Sequence, residues 1–310
     1  DIDFENTVLK FKNSERKKFD FVFGADGAGS IVRKKMNLFS DINVYTNIID
    51  CGYKELTIPP SNKGAWIIDS DALHIWPRES YMVMALPNQD GSFTITLFFP
   101  LKGKNSFESL KTNSDVNDFF STKFSDLVPL IPNLSDQYFK NPVSSLGIIR
   151  CDSWKVNNFM LIGDSCHATV PFYGQGMNAG FEDCNLINEI INDSSKSSLF
   201  KTPVNDFLSR RKLNTTAMQD LSMHNFVVMR DKTGDHKFLL QKKIEALFAE
   251  KNPTKWTPLY SMVTFSHIDY NDALIIGKKQ EKIMREIMEI ENIDLIWDSQ
   301  KIQDKILSLL

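Results

Sequence analysis

Cysteine is sparse and unclustered in this chain. Its four thiols, Cys51, Cys151, Cys166 and Cys184, are scattered over 310 residues. No CxxC or Cys/His ligand spacing occurs, so neither a zinc site nor a disulfide framework is indicated. Reduced thiols in a cytoplasm are the simplest account. No apolar run approaches the ~18 residues of a membrane span, and no signal peptide is expected. Charge of one sign is not in excess either. Lys and Arg number 36 against 39 Asp and Glu, a net charge of −3, which leaves no basic footprint for nucleic acid. The glycine fingerprint GxGxxG of a dinucleotide-binding βαβ unit is nowhere found. What remains is 42% hydrophobic and 24% charged, enough for a sizeable core and one or two domains.

The rest of the chain is organised around residues 159–183, FMLIGDSCHATVPFYGQGMNAGFED. Phe159 to Ile162 reads as a short strand covered on both faces. Gly163-Asp164 ends it and leaves Asp164 at the strand's carboxyl end, where open α/β sheets bind ligands. Gly174, Gly176 and Gly180 let a backbone pass close to a bulky group. From Met177 the period is helical, with Phe181, Cys184, Ile187 and Ile191 expected on one face. The free amides at that helix start suit an anionic or polarised ligand. An ordinary strand–loop–helix with packing glycines is the plainer alternative. The acidic turn, the Pro171 break and three glycines within one block favour the functional reading.

Earlier in the chain, Thr7–Lys12 reads as a weak strand, Asn13–Lys18 as a charged turn and Phe19–Phe23 as a buried strand. Asp26-Gly27 is a turn, and Ser30 is a plausible N-cap for Ile31–Met36. Between residues 41 and 150 the pattern becomes strand-like: Val44–Leu56, Ala65–Asp69, Leu73–Trp76, Tyr81–Leu86, Ser92–Phe99 and Leu146–Cys151. Asp90-Gly91 marks a hairpin. By the period of two, Met82, Met84 and Leu86 share a face. Two short helices are expected within 106–124. Beyond a polar linker at 194–198 the chain turns helical, with a helix opening at Thr202-Pro203 and running to about Arg230, where Asn225 is a polar group on an apolar stripe. Further helices are expected at 237–250, 271–290 and 294–309.

Gly163-Asp164 with GQGMNAG (174–180), and GADGAGSIVR (24–33), resemble the two flavin motifs of the class A FAD-dependent aromatic hydroxylases, in the right order. The string HATVPFYGQGMNAGFEDC (167–184), with LHIWPR (73–78), MALPNQDGSFTITLFFP (84–100) and LSMHNFVVMR (221–230), is most similar to the kynurenine-hydroxylating branch of that family. The resemblance implies an α/β fold. A partial Rossmann-like FAD domain (1–40 and 146–198) is interrupted by a mostly antiparallel substrate sheet (41–145) and followed by a helical region (199–310). It implies that Asp164 holds the ribityl chain, and that Met177 and Asn178 face the pyrimidine end of the isoalloxazine. Gly163, Pro171, Gly174, Gln175 and Gly176 complete that loop. Asp26 is expected near ribityl and pyrophosphate, with Gly27, Ala28, Ser30 and Ile31 approaching the cofactor.

By the same resemblance Met84, Leu86 and Phe98 line the substrate ring, and Asn225 and Tyr260 meet its amino-acid end. Met229 packs nearby, and Phe172 and Tyr173 exclude water beside the flavin. The implied reaction is hydroxylation of L-kynurenine to 3-hydroxykynurenine with NADPH and O2, through a flavin hydroperoxide. No side chain acts as catalyst, no metal is required, and no membrane anchor is seen. His167 is expected to be structural. Val228 stands where the family commonly has Glu. Such proteins open with a GxGxxG unit, whereas this chain starts at Asp1, so the expectation is the C-terminal part of a longer protein. Two alternatives stay open: a related hydroxylase with another aromatic substrate, and an inactive fragment that only binds ligand or partner.

Overall fold

In the computed structural model, residues 1–192 and 202–310 are described. The expected linker at 194–198 lies outside them. The chain divides into two compact units. The first comprises residues 1–47, 147–225 and 240–310, and the second residues 48–146 and 226–239.

In chain order the elements are as follows. Strands β1 (Ile2–Asp3), β2 (Val8–Lys10), β3 (Arg16–Lys18) and β4 (Val22–Gly24) lead to helix α1 (Ile31–Ser40). Strands β5 (Val44–Ile58), β6 (His74–Pro77), β7 (Met82–Pro87) and β8 (Phe93–Pro100) precede helices α2 (Asn113–Lys123) and α3 (Leu134–Lys140). Strands β9 (Ser144–Cys151), β10 (Lys155–Val156) and β11 (Phe159–Leu161) are followed by helices α4 (Asp164–His167), α5 (Gly176–Asn192) and α6 (Thr202–Val227). The chain closes with α7 (His236–Lys251), α8 (Leu259–Phe265), α9 (Tyr270–Met288), α10 (Ile293–Ile296) and α11 (Gln300–Leu309).

In the first unit, β11 pairs parallel with β4, Phe159 opposite Val22 and Leu161 opposite Gly24. All three residues of β11 are buried, as a strand covered on both faces should be. The two motif loops therefore leave the carboxyl ends of neighbouring parallel strands. β4 is shorter than the run Phe19–Phe23 suggests, and Phe19 and Phe23 are exposed. The charged turn at 13–18 is also shorter than expected, because Arg16–Lys18 pairs back onto Val8–Lys10.

In the second unit, β7 and β8 form the expected hairpin, Met82 opposite Phe98. Gly91 at φ 85° supplies the left-handed residue of its turn. The alternation sorts the side chains. Val83, Ala85, Ile95, Leu97 and Phe99 enter a core closed by Val116, Phe120 and Phe124 around α2 and by Leu134 and Tyr138 on α3. Met82, Met84, Leu86 and Phe98 fall on the other face. The expected strand at Ala65–Asp69 does not form. Ala65 instead closes a turn on Ser61, giving its carbonyl to Ser61 N–H and its N–H to Ser61 Oγ, so its backbone is not free for a ladder. One short helix of the 106–124 region is a single 3₁₀ turn, Phe107–Ser109, and the other is α2. Each begins in a capping box, Ser106 with Ser109 and Thr112 with Asp115.

Two helical expectations are corrected. On α5 the buried residues are Ala179, Asp183 and Ile187, while Phe181, Cys184 and Ile191 are exposed. A charged side chain occupies the inner face because it is paired there, as described below. The α-helical winding of α6 stops at Val227, and residues Val228–Lys232 form a π turn.

Candidate active site

The first motif loop is built around the start of α1. Ser30 caps that helix, its Oγ accepting from Arg33 N–H at 2.9 Å. Asp26 Oδ1 accepts from Ser30 Oγ at 2.5 Å, and Oδ2 accepts from the N–H groups of Ile31 (2.7 Å) and Val32 (3.1 Å). Partial burial acts to raise the Asp26 carboxyl, but these hydrogen bonds outweigh it and hold it below the ordinary carboxylate value. Buried Arg33 ties the two loops together. Its Nη1 donates to Ser165 O at 2.7 Å and its Nη2 to Ala28 O at 2.5 Å. Ser165 Oγ donates to Gly24 O at 2.6 Å, closing the same junction from the other side.

The second loop turns at Gly163 (φ 61°, ψ −142°), which puts Asp164 at the head of α4. Asp164 is exposed and makes no hydrogen bond among the described residues. A Cβ on Gly176 would lie 4.0 Å from Asp164 Oδ1, so the carboxylate faces the start of α5. There the chain passes Pro171–Tyr173, a 3₁₀ turn ended by Gly174 at φ 65°, and enters α5 at Gly176. Met177 is exposed. Gln175, by contrast, is buried and organises the loop. Its Nε2 donates to Tyr173 O at 3.1 Å, and its Oε1 accepts from Asn178 Nδ2 (3.2 Å) and Tyr270 Oη (3.0 Å).

Beneath this loop lies a buried charge network. Asp183 Oδ2 accepts from Gly163 N–H at 2.9 Å and sits 2.6 Å from His167 Nε2. Arg211 Nε donates to Asp183 Oδ1 at 2.6 Å, Nη2 to Ala179 O at 2.7 Å and Nη1 to Glu182 Oε2 at 2.5 Å. Burial pushes the Asp183 carboxyl up, while the His167 hydrogen bond and charge and the Arg211 guanidinium pull it down. The second group wins, and Asp183 lies below 3.8. His167 thus has a structural place, packed 5.1 Å from the Trp154 ring.

Four of the expected substrate residues gather at the 3₁₀ turn in the first unit. Asn225 Nδ2 donates to Phe172 O at 2.7 Å. Tyr173 is buried and stacks on Tyr260 at 5.6 Å, and burial raises its hydroxyl to about 12. Tyr260 is half exposed, edge-on to Phe265. The other four belong to the second unit. Met84, Leu86 and Phe98 share the sheet face opposite the core, with Tyr53 6.2 Å from the Phe98 ring, and buried Met229 lies in the π turn.

Sequence reasoning missed Asp183, Arg211, Tyr270 and Gln219. Gln219 donates to both Ile149 O and Ala168 O at 2.8 Å, pinning the loop to β9. Asp183 carried no usable signal, since its place on the buried stripe with Ala179 and Ile187 shows only in the structure. Arg211 carried none, since it stands between Arg210 and Lys212 and nothing in the sequence singles it out from them.

The donor set suits FAD. The Asp164 carboxylate faces the start of α5 at Gly176, and nothing lies within 4 Å of where a side chain on Gly27, Gly29 or Gly174 would start. That leaves room for a flat, hydroxyl-bearing group against backbone. Among the described residues no cluster of His, Cys, Asp and Glu could hold a metal ion, and no helix is long and apolar enough to cross a membrane.

Residues 2–202 match the family model described as FAD binding domain. The kynurenine 3-monooxygenase of Flavobacterium johnsoniae is 47% identical over 316 aligned positions, covering 100% of this chain and 70% of that protein. The kynurenine 3-monooxygenase of Dictyostelium discoideum is 39% identical, covering 97% and 70%. Among solved structures, 2-methyl-3-hydroxypyridine-5-carboxylic acid oxygenase aligns with a TM-score of 0.59 at 19% identity, over 74% of this chain and 60% of that one. Klebsiella pneumoniae HpxO complexed with FAD and uric acid aligns at 0.55 with 14% identity, over 97% and 63%. At such identities the two structures bear on the fold alone.

Proposed function

The chain belongs to the kynurenine 3-monooxygenase family of FAD-binding proteins, and from that premise we propose that it hydroxylates L-kynurenine at ring position 3, using FAD, NADPH and O2. The observation that carries the reading is the parallel pairing of β4 with β11, which sets the two motif loops side by side with Asp164 unpaired between them and α5. When bound, FAD supplies the oxygen-activating chemistry, which side chains do not provide by themselves.

This chain's residues then have physical tasks. Asp164 accepts hydrogen bonds from flavin hydroxyls, and the amides of Met177 and Asn178 face a polarised carbonyl edge. Asp26 holds the start of α1 so that Gly27, Ala28 and Ile31 present backbone. Phe172 and Tyr173, both buried, keep water from the reacting centre. In the first unit Asn225 and Tyr260 are the candidates for the amino-acid end of the substrate; in the second, Met84, Leu86 and Phe98 are the candidates for its ring and Met229 is a packing residue. A cytoplasmic setting is supported by four free thiols, three of them buried.

A second reading, a relative acting on another aromatic substrate, is favoured by the engagement of Asn225 with Phe172 O. NADPH oxidation and hydroxylated product measured with kynurenine, anthranilate and 4-hydroxybenzoate separate the two. Product from kynurenine alone supports the first reading. Product only from another ring overturns it.

A further inference from the structure

Several buried polar groups near the loop bridge separate segments, Arg33, Ser165, Gln175 and Gln219 among them. The Asp183–Arg211 pair does so with two opposite charges. Asp183 is 0% exposed and Arg211 2%; Asp183 bonds to Gly163 N–H and the His167 ring, at the two ends of α4, and Arg211 bonds to Ala179 O in the first turn of α5. A buried ion pair is poor evidence of stabilisation, because apolar residues of the same volume commonly do as well. What this pair does fix is geometry. Gly163 precedes Asp164, and Ala179 follows Asn178. An ionised carboxylate can only accept, so His167 Nε2 carries the hydrogen that faces Asp183. Its Nδ1 is buried without a hydrogen-bond partner, so the ring is held by Asp183 alone.

Resting on the flavin reading above, we propose that Asp183 and Arg211 are positioning residues for the cofactor: from beneath the loop they hold the Gly163 turn that aims Asp164 and fix the first turn of α5. Neither touches the ligand. Asp183→Asn turns one acceptor into an amide donor, so either the Gly163 N–H or the Arg211 Nε–H loses its partner, and the turn relaxes. Arg211→Lys keeps the charge but not the fork, and frees Ala179 O.

The test is FAD titration of the flavin-free protein, wild type against Asp183→Asn and Arg211→Lys. Circular dichroism confirms that each is folded well below its own Tm. The expected result is a Kd for FAD raised about tenfold in Asp183→Asn and about threefold in Arg211→Lys, with weaker quenching of flavin fluorescence in both. If Asp183→Asn does not fold, Arg211→Lys carries the test, since its ion pair with Asp183 is retained. A Kd within about twofold of wild type in every folded variant, with only Tm lowered, makes the pair purely structural and overturns the proposal. A folded wild-type protein that takes up no flavin brings down the flavin reading itself, and this proposal with it.

Discussion

Gly163 and Gly180 face each other across the loop: a Cβ built on Gly180 would lie 3.6 Å from the Cα of Gly163, and one on Gly163 would lie 3.8 Å from the Cα of Gly180. Both distances are ordinary contacts, so space does not distinguish the two positions. Backbone does. Gly163, at φ 61° and ψ −142°, sits where side-chain-bearing residues are strained, whereas Gly180 is helical. Gly163→Ala is expected to cost about 1–3 kcal/mol. Gly180→Ala is expected to be neutral or to stabilise by up to about 1 kcal/mol. Urea midpoints of the two variants check this, and equal losses would show that the contact, not the dihedral, governs.

What the sequence revealed depended on how local the cause was. Ser30 was legible as an N-cap because the cap is set by the residue and its own helix. Asp90-Gly91 was legible because Gly91, at φ 85°, supplies the left-handed residue of the 88–92 loop that joins β7 to β8. Asp26 and Asp164 stood out through their motif strings, and the loops that carry them leave neighbouring parallel strands. The inner face of α5 was not legible. Its apolar residues Phe181 and Ile191 point outward, and Asp183 points inward because Arg211, 28 residues on, supplies the opposite charge. Ala65–Asp69 has strand-like composition, but Ser61 captures Ala65 first. The π turn at Val228–Lys232 has no composition signal that separates it from the helix before it.

Asp164 separates binding from stability. It is exposed and unpaired, so Asp164→Asn is expected to change unfolding free energy by no more than about 0.5 kcal/mol. It is also the carboxylate facing α5, and a hydrogen bond to a charged group contributes roughly 1.5–3 kcal/mol. FAD affinity is therefore expected to fall about tenfold or more. Unchanged affinity in a flavin titration would remove Asp164 from the site.

Asn225 and Tyr260 meet the same turn in different ways. Asn225→Ala deletes the bond to Phe172 O and is expected to cost about 1 kcal/mol of stability as well as raise KM for kynurenine. Tyr260→Phe keeps the ring stacked on Tyr173 and removes only the hydroxyl, so the expected change is in KM with Tm unaltered. Thermal melts beside steady-state kinetics make the comparison. A lowered Tm in Tyr260→Phe would assign the hydroxyl to the fold rather than to the substrate.

Acid should find the Asp183 network early. The folded pKa of Asp183 is depressed below 3.8, so ionised Asp183 favours the folded state. That contribution is complete above 3.8 and disappears as the pH falls through the lower folded value, because the unfolded chain then binds a proton that the native carboxylate resists. Protonation also leaves Arg211 buried beside a neutral acid, the costly half of a broken pair. Urea unfolding at pH 6 and pH 3 is expected to show a larger loss for wild type than for Asp183→Asn, whose side chain has no proton to gain. Parallel losses in the two proteins would place the acid sensitivity elsewhere and remove the network from any account of it.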